Sequence, residues 1–191
     1  MNLFFRFLII SFIFILGFNT LYAASFSSKA NFATVVDFQT GAILYEKNSS
    51  SKVYPASMSK LMTLYILFEE IQNGNYSLDT KLEVSEKAWR KGGSKMFLEM
   101  GTEVSVRDLL KGIIIQSGND ACIVVAENIS GDESSFADLM NQKAREIGLN
   151  NSNFTNSTGW PDEDHYMTAS DLAILSSRII KDFPQFFYLF K

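Results

Sequence analysis

Pro55-Ala56-Ser57-Met58-Ser59-Lys60-Leu61-Met62-Thr63 is the stretch on which the reading of this chain turns. Ser57 and Lys60 stand three apart at the head of an apolar-periodic run, Leu61, Leu64, Tyr65, Phe68 and Ile71. That spacing predicts a helix with both polar residues on one face, about one turn apart. Pro55 favours an extended lead-in, and Asn73-Gly74-Asn75 ends the helix after about Gln72. A hydroxyl in a first helical turn lies beside unpaired N–H groups and the positive end of the dipole, which favours developing negative charge. A lysine one turn on can take the hydroxyl proton if burial keeps it neutral, so no histidine is required. The competing reading has a serine that only caps the helix and a solvated Lys60. The tetrad alone, common by chance, does not separate the two.

Outward from that stretch, composition narrows the field. The 191 residues carry a net charge of −4 and are 47% hydrophobic, with 17 phenylalanines. That length fits one domain. The acidic balance and the lack of a Lys/Arg block argue against a nucleic-acid surface. One cysteine excludes an intrachain disulfide, and one cysteine with one histidine is too few for a Cys/His zinc site. No metal or other cofactor is expected. The N-terminus differs in kind: Arg6 is the only charge before Lys29, residues 7–18 are almost wholly apolar, and Leu21-Tyr22-Ala23-Ala24 follows. Those features describe a secretory signal over residues 1–23, cleaved after Ala23 or Ala24. The alternative is an uncleaved anchor, for which the apolar run is short. Export is expected either way.

Along the mature chain, Ala33-Thr34-Val35-Val36-Asp37 and Ala42-Ile43-Leu44-Tyr45-Glu46 read as a hairpin across Phe38-Gln39-Thr40-Gly41. Residues 77–100 are irregular, with Lys91-Gly92-Gly93-Ser94 as a plain turn lacking the glycine spacing of a phosphate loop. Ser105 caps a helix that stops at Ser117-Gly118-Asn119, and a second apolar helix runs from Ala121 to Ile129. Ser135 starts another helix that Gly148 stops, and Thr168 caps the last, closed by Pro184 before an aromatic tail. Cys122 among Ala121, Ile123, Val124 and Val125 reads as a small buried side chain, not a thiol nucleophile. His165, near Asp162 and Asp164, invites a Ser-His-Asp reading, but no G-x-S-x-G elbow accompanies it. A loop role fits it better.

Ser117-Gly118-Asn119 is a costly place to interrupt two apolar helices unless it is paired or solvated in a cleft. Read alone it is a helix-to-helix turn. Set against Ser57 and Lys60, it offers a second hydroxyl for proton relay and an amide to hold a substrate carbonyl or the lysine. S-x-x-K followed some sixty residues later by S-x-N is the pattern of penicillin-binding proteins and class A β-lactamases. With Ile115 through Ala121, Asn156 through Gly159 and His165 through Asp171, the chain resembles the D-alanyl-D-alanine carboxypeptidases, the low-molecular-weight penicillin-binding proteins. Gly118, where class A β-lactamases usually carry aspartate, points the same way.

The resemblance implies an α+β fold, β-lactamase/transpeptidase-like, with an antiparallel sheet backed by a helical lobe and the site between them. By the same resemblance Ser57 is the nucleophile, Lys60 its proton acceptor, Ser117 the relaying hydroxyl and Asn119 a substrate-orienting neighbour. The expected partners are the peptidoglycan pentapeptide stem and β-lactams, in the bacterial periplasm or at the outer face of the cytoplasmic membrane. The signal segment is the one membrane contact expected. The family's third motif, Lys-Thr-Gly, does not occur. Residues 24–191 are therefore expected to be an incomplete catalytic domain, truncated before the sheet is complete and marginally active at most. The rival readings are a β-lactamase and an inactive secreted fragment that binds peptidoglycan or a partner.

Overall fold

The computed structural model describes residues 26–191; the expected signal segment and its cleavage point lie outside them. In chain order the elements are β1 (Ala33–Val36), β2 (Ile43–Lys47), a 3-10 turn (Ala56–Ser59), α1 (Lys60–Gln72), β3 (Lys81–Glu83), α2 (Glu86–Arg90) and β4 (Glu103–Ser105). There follow α3 (Val106–Gln116), α4 (Asn119–Ser130), α5 (Glu133–Glu146), α6 (Ala169–Asp182) and a closing 3-10 segment (Pro184–Phe190). A helix that is apolar on every side is stable only inside a protein. Among the described residues α1 and α4 come nearest to this, with Met62 through Phe68 and Asn119 through Ala126 buried without a break. The other helices pack around them, and the strands form two antiparallel pairs, β1 with β2 and β3 with β4. The architecture is the expected α+β one, a helical lobe with antiparallel strands beside it. Among the described residues no helix is long and apolar enough to cross a membrane.

The hairpin forms where the alternation predicts it, with Thr34 opposite Glu46, Val35 opposite Tyr45, and an irregularity between Val35 and Val36. The caps at Ser105 and Thr168 also form, each hydroxyl accepting from the N–H three residues on, at Asp108 and Asp171. Other expectations are corrected. Residues 77–100 hold β3 and α2, too short for their periodicity to register. Helix α5 starts at Glu133, not near Ser135, because the Asp132 carboxylate takes the N–H groups of Ser134 and Ser135. The aromatic tail folds back onto α1, where Phe186 stacks on Phe68 at 4.8 Å and Phe183 meets Tyr65 edge-on at 4.9 Å.

The lead-in to the Ser57 segment is corrected as well. Pro55 is not extended but lies in the helical region at φ −75° and ψ −17°. The chain then makes a 3-10 turn whose first residue, Ala56, has φ +49°. Left-handed backbone at a residue with a Cβ is strained and persists only where the surroundings enforce it. Gly159 makes room for it: a Cβ there would lie 1.8 Å from the Ala56 carbonyl oxygen. Only glycine, here at φ +78°, lets the two backbones meet.

Candidate active site

Ser57 sits in the 3-10 turn, exposed, and Lys60 begins α1 with 3% of its surface exposed. The Lys60 amine lies 3.1 Å from Ser57 Oγ and donates to the Thr158 carbonyl at 2.8 Å. Its pKa is lowered, chiefly because burial penalises the charged ammonium, with Lys91 adding to the effect and Cys122 opposing it. A neutral amine has a lone pair to offer. With one N–H spent on Thr158, the lone pair can face the Ser57 hydroxyl, which is the geometry a general base needs. The reading of Lys60 as solvated is overturned by its burial. The reading of Ser57 as a cap also fails, because neither the 3-10 turn nor α1 has a side-chain cap.

Ser117 is the C-cap of α3, at φ +55°, and its buried Oγ makes no hydrogen bond among the described residues. Of the four left-handed residues other than glycine among those described, Ala56 and Ser117 flank this region. Backbone strain of this kind collects at functional sites. The carbonyl of Gly118, next to Ser117, accepts the Cys122 N–H at 3.3 Å, and Cys122, one turn into α4, is among the groups whose charge acts on Lys60. Burial pushes the Cys122 thiol up to about 12, so it stays protonated and inert, as its apolar neighbours predict.

Asn119 is buried, and its Nδ2 donates to the Gly92 carbonyl at 2.9 Å while its backbone N–H donates to the Ser94 carbonyl at 2.7 Å. It makes no hydrogen bond to Lys60. The amide nitrogen is committed to the turn at residues 91–94, which is therefore more than a plain loop. The Asn119 carboxamide oxygen has no partner among the described residues.

Sequence reasoning missed the wall opposite α1. Residues 157 and 158 run beside the helix start, with the Ser157 carbonyl accepting from Thr63 Oγ1 at 2.7 Å and the Thr158 carbonyl from Lys60. Glu133 fixes this wall from behind, accepting from Ser157 Oγ at 2.8 Å and pairing with Lys87 at 2.9 Å. Asp120, fully buried, takes the N–H groups of Met96 and Leu98 and so anchors the segment beyond the 91–94 turn. A buried acid beside a helix start has no periodic signature in sequence. His165 faces Ser59, not Ser57, at 2.7 Å, which disposes of a Ser57-His165 dyad.

Comparison with known proteins identifies the fold and the family. Among solved structures, the D-alanyl-D-alanine carboxypeptidase DacD from Francisella tularensis superposes with a TM-score of 0.86 at 44% identity, over 87% of this chain and 40% of that one. Penicillin-binding protein D2 from Listeria monocytogenes, solved in its ampicillin-bound form, gives 0.75 at 29% identity, over 85% of this chain and 66% of that one. The fold is thus that of the penicillin-binding proteins. The sequence model described as D-alanyl-D-alanine carboxypeptidase, peptidase S11, matches residues 19–191, and the chain belongs to that family. The D-alanyl-D-alanine carboxypeptidase DacF of Bacillus subtilis (strain 168) is 44% identical over 153 residues, 80% of this chain and 39% of that protein. DacC of Escherichia coli (strain K12) is 38% identical over 163 residues, 82% of this chain and 41% of that protein. The chain thus spans about two-fifths of the length of these curated relatives.

Proposed function

We propose that this chain carries the nucleophile half of a serine-type D-Ala-D-Ala carboxypeptidase, which removes the terminal D-alanine from peptidoglycan stem peptides. The observation that carries the reading is the buried Lys60 amine 3.1 Å from the exposed Ser57 hydroxyl. Lys60 takes the Ser57 proton as Oγ attacks the carbonyl carbon of the scissile peptide bond. The C–N bond then breaks, and the proton passes to the departing amine of D-alanine, with the Ser117 hydroxyl as relay. An acyl-ester on Ser57 remains; water, deprotonated by the Lys60 amine, attacks its carbonyl carbon, the ester C–O bond breaks, and the proton returns to Ser57 Oγ. Asn119 orients the substrate through its free carboxamide oxygen. A β-lactam enters by the same attack, its ring amide taking the place of the peptide bond, and leaves a covalent adduct on Ser57.

The working compartment proposed is the bacterial periplasm or the outer face of the cytoplasmic membrane, reached through the N-terminal signal. Labelling with a fluorescent penicillin and mapping the adduct by mass spectrometry tests the assignment, beside an assay of D-alanine release from a D-Ala-D-Ala peptide. The adduct is expected on Ser57 and absent from Ser57→Ala. An adduct on any other residue overturns it.

A further inference from the structure

Ser59 lies between the nucleophile and the base and is the N-cap residue of α1, yet its hydroxyl does not cap the helix. It is fully buried and turned instead to His165 Nε2 at 2.7 Å, a contact spanning 106 residues of sequence. The other ring nitrogen decides which way that bond runs. Nδ1 lies 3.2 Å from the backbone N of Thr155, which can only donate, and 3.3 Å from Asn156 Nδ2. Nδ1 must therefore be the acceptor, so Nε2 carries the hydrogen and donates to Ser59 Oγ. Phe154 packs edge-to-face on the imidazole at 5.6 Å, which fixes the ring plane. A proton added at Nδ1 would face two N–H donors in a buried pocket, with the Thr155 hydroxyl at 3.2 Å as the one group there able to accept it.

We propose that His165 is a positioning residue: its neutral Nε2–H holds the Ser59 hydroxyl and thereby keeps the turn carrying Ser57 in register with the Lys60 amine. The turn is then tied at three points, by Gly159 against Ala56, by Thr158 on Lys60 and by His165 on Ser59. This rests on the function proposed above for its catalytic consequence, but not for its structural one. Protonation at Nδ1 leaves the Nε2–H donor in place but turns Nδ1 against the Thr155 and Asn156 N–H donors, and so breaks the ring's own anchor on residues 155–156. Burial holds the His165 pKa below the ordinary 6.5, with Asp162 on its own loop pulling the other way. Neither residues 153–156 nor the Ala56–Ser59 turn carries a charged side chain. The ring's anchor, and with it the placing of the Nε2–H donor, is therefore complete above about pH 6.5, the unfolded-state value, and weakens as pH falls through the lower folded-state value.

His165 is the one histidine in the chain, so histidine-selective NMR reads it without assignment. The full chain is expected to show a single neutral Nε2–H tautomer persisting below pH 6.5, and Ser59→Ala to move its titration. A freely titrating ring, or one that ignores Ser59→Ala, overturns the proposal. Penicillin acylation is then compared in wild type, His165→Ala and His165→Gln. The alanine variant is expected to acylate roughly tenfold or more slowly, the loss of one buried hydrogen bond, and the glutamine variant, which keeps a donor, to recover part of it. Equal rates in all three overturn the positioning role. If His165→Ala does not fold, Ser59→Ala carries the same rate comparison. A wild type that shows the tautomer but takes no penicillin refutes the proposed function instead and leaves the tie standing.

Discussion

Lys60 and Gly159 show how single residues decide this site. Lys60 can serve as the proposed base only because burial moves its pKa below the ordinary 10.5. Acylation is therefore expected to rise with pH until Lys60 is neutral, with its inflection below that value. Lys60→Arg keeps the charge but cannot give up the proton, so acylation should fall by about 100- to 10,000-fold, the range a lost general base costs. Penicillin labelling with circular dichroism checks it: wild-type labelling on a folded variant excludes Lys60 as base. Gly159→Ala sets a Cβ against the Ala56 carbonyl at a left-handed position. It should cost roughly 2 kcal/mol or more, read as a lowered urea midpoint. An unchanged midpoint would mean that the two backbones do not meet as described.

At the scale of elements, the start of α5 holds the wall behind Lys60, and the start of α6 is fixed by its own cap. Burial acts to raise the Glu133 pKa, but the Lys87 and Ser157 hydrogen bonds outweigh it and hold the carboxyl below its ordinary 4.5. Its contribution to stability is thus present above pH 4.5 and is lost as pH falls through the lowered value. Glu133→Gln should flatten the acid side of a stability-against-pH curve measured by urea unfolding; an unaltered acid limb would exclude Glu133 as its source. Thr168, the buried cap of α6, should cost about 1 kcal/mol on replacement by alanine and much less by serine, which keeps the acceptor. Equal losses for both variants would show that packing of the threonine methyl, not capping, holds the helix start.

For the whole molecule, the hairpin is the weakly covered part. Ile43 and Leu44 are 61% and 66% exposed, and the groove of about 400 Å³ between the hairpin and α6 contains none of Ser57, Lys60, Ser117 and Asn119. A two-stranded pair with apolar faces and open edges invites pairing with another chain. The described residues are expected to self-associate in dilute buffer, and Leu44→Lys to reduce it, as read by light scattering. Association that ignores Leu44→Lys would place the contact elsewhere. Export should remove the first 23 or 24 residues, which intact mass of the exported protein decides; Met1 retained in the membrane refutes it.

The sequence by itself determined whatever depends on neighbours along the chain. The hairpin alternation, the Ser105 and Thr168 caps, the Ser57–Lys60 spacing and the break at Ser117 are all local patterns, and the structure carries each of them. Resemblance to the carboxypeptidases added the pairing of the two motifs, which spacing alone left open. Only the tertiary structure decided what depends on contacts between distant segments. The left-handed turn at Ala56 fits because Gly159, distant in sequence, has no Cβ to meet its carbonyl. Lys60 is desolvated because it is packed into the interior, where the Thr158 carbonyl meets its amine. His165 serves Ser59 and not Ser57 because the fold brings the buried hydroxyl, not the exposed one, to its Nε2. Burial and the direction of a hydrogen bond are properties of the packed interior, and no period along the chain encodes them.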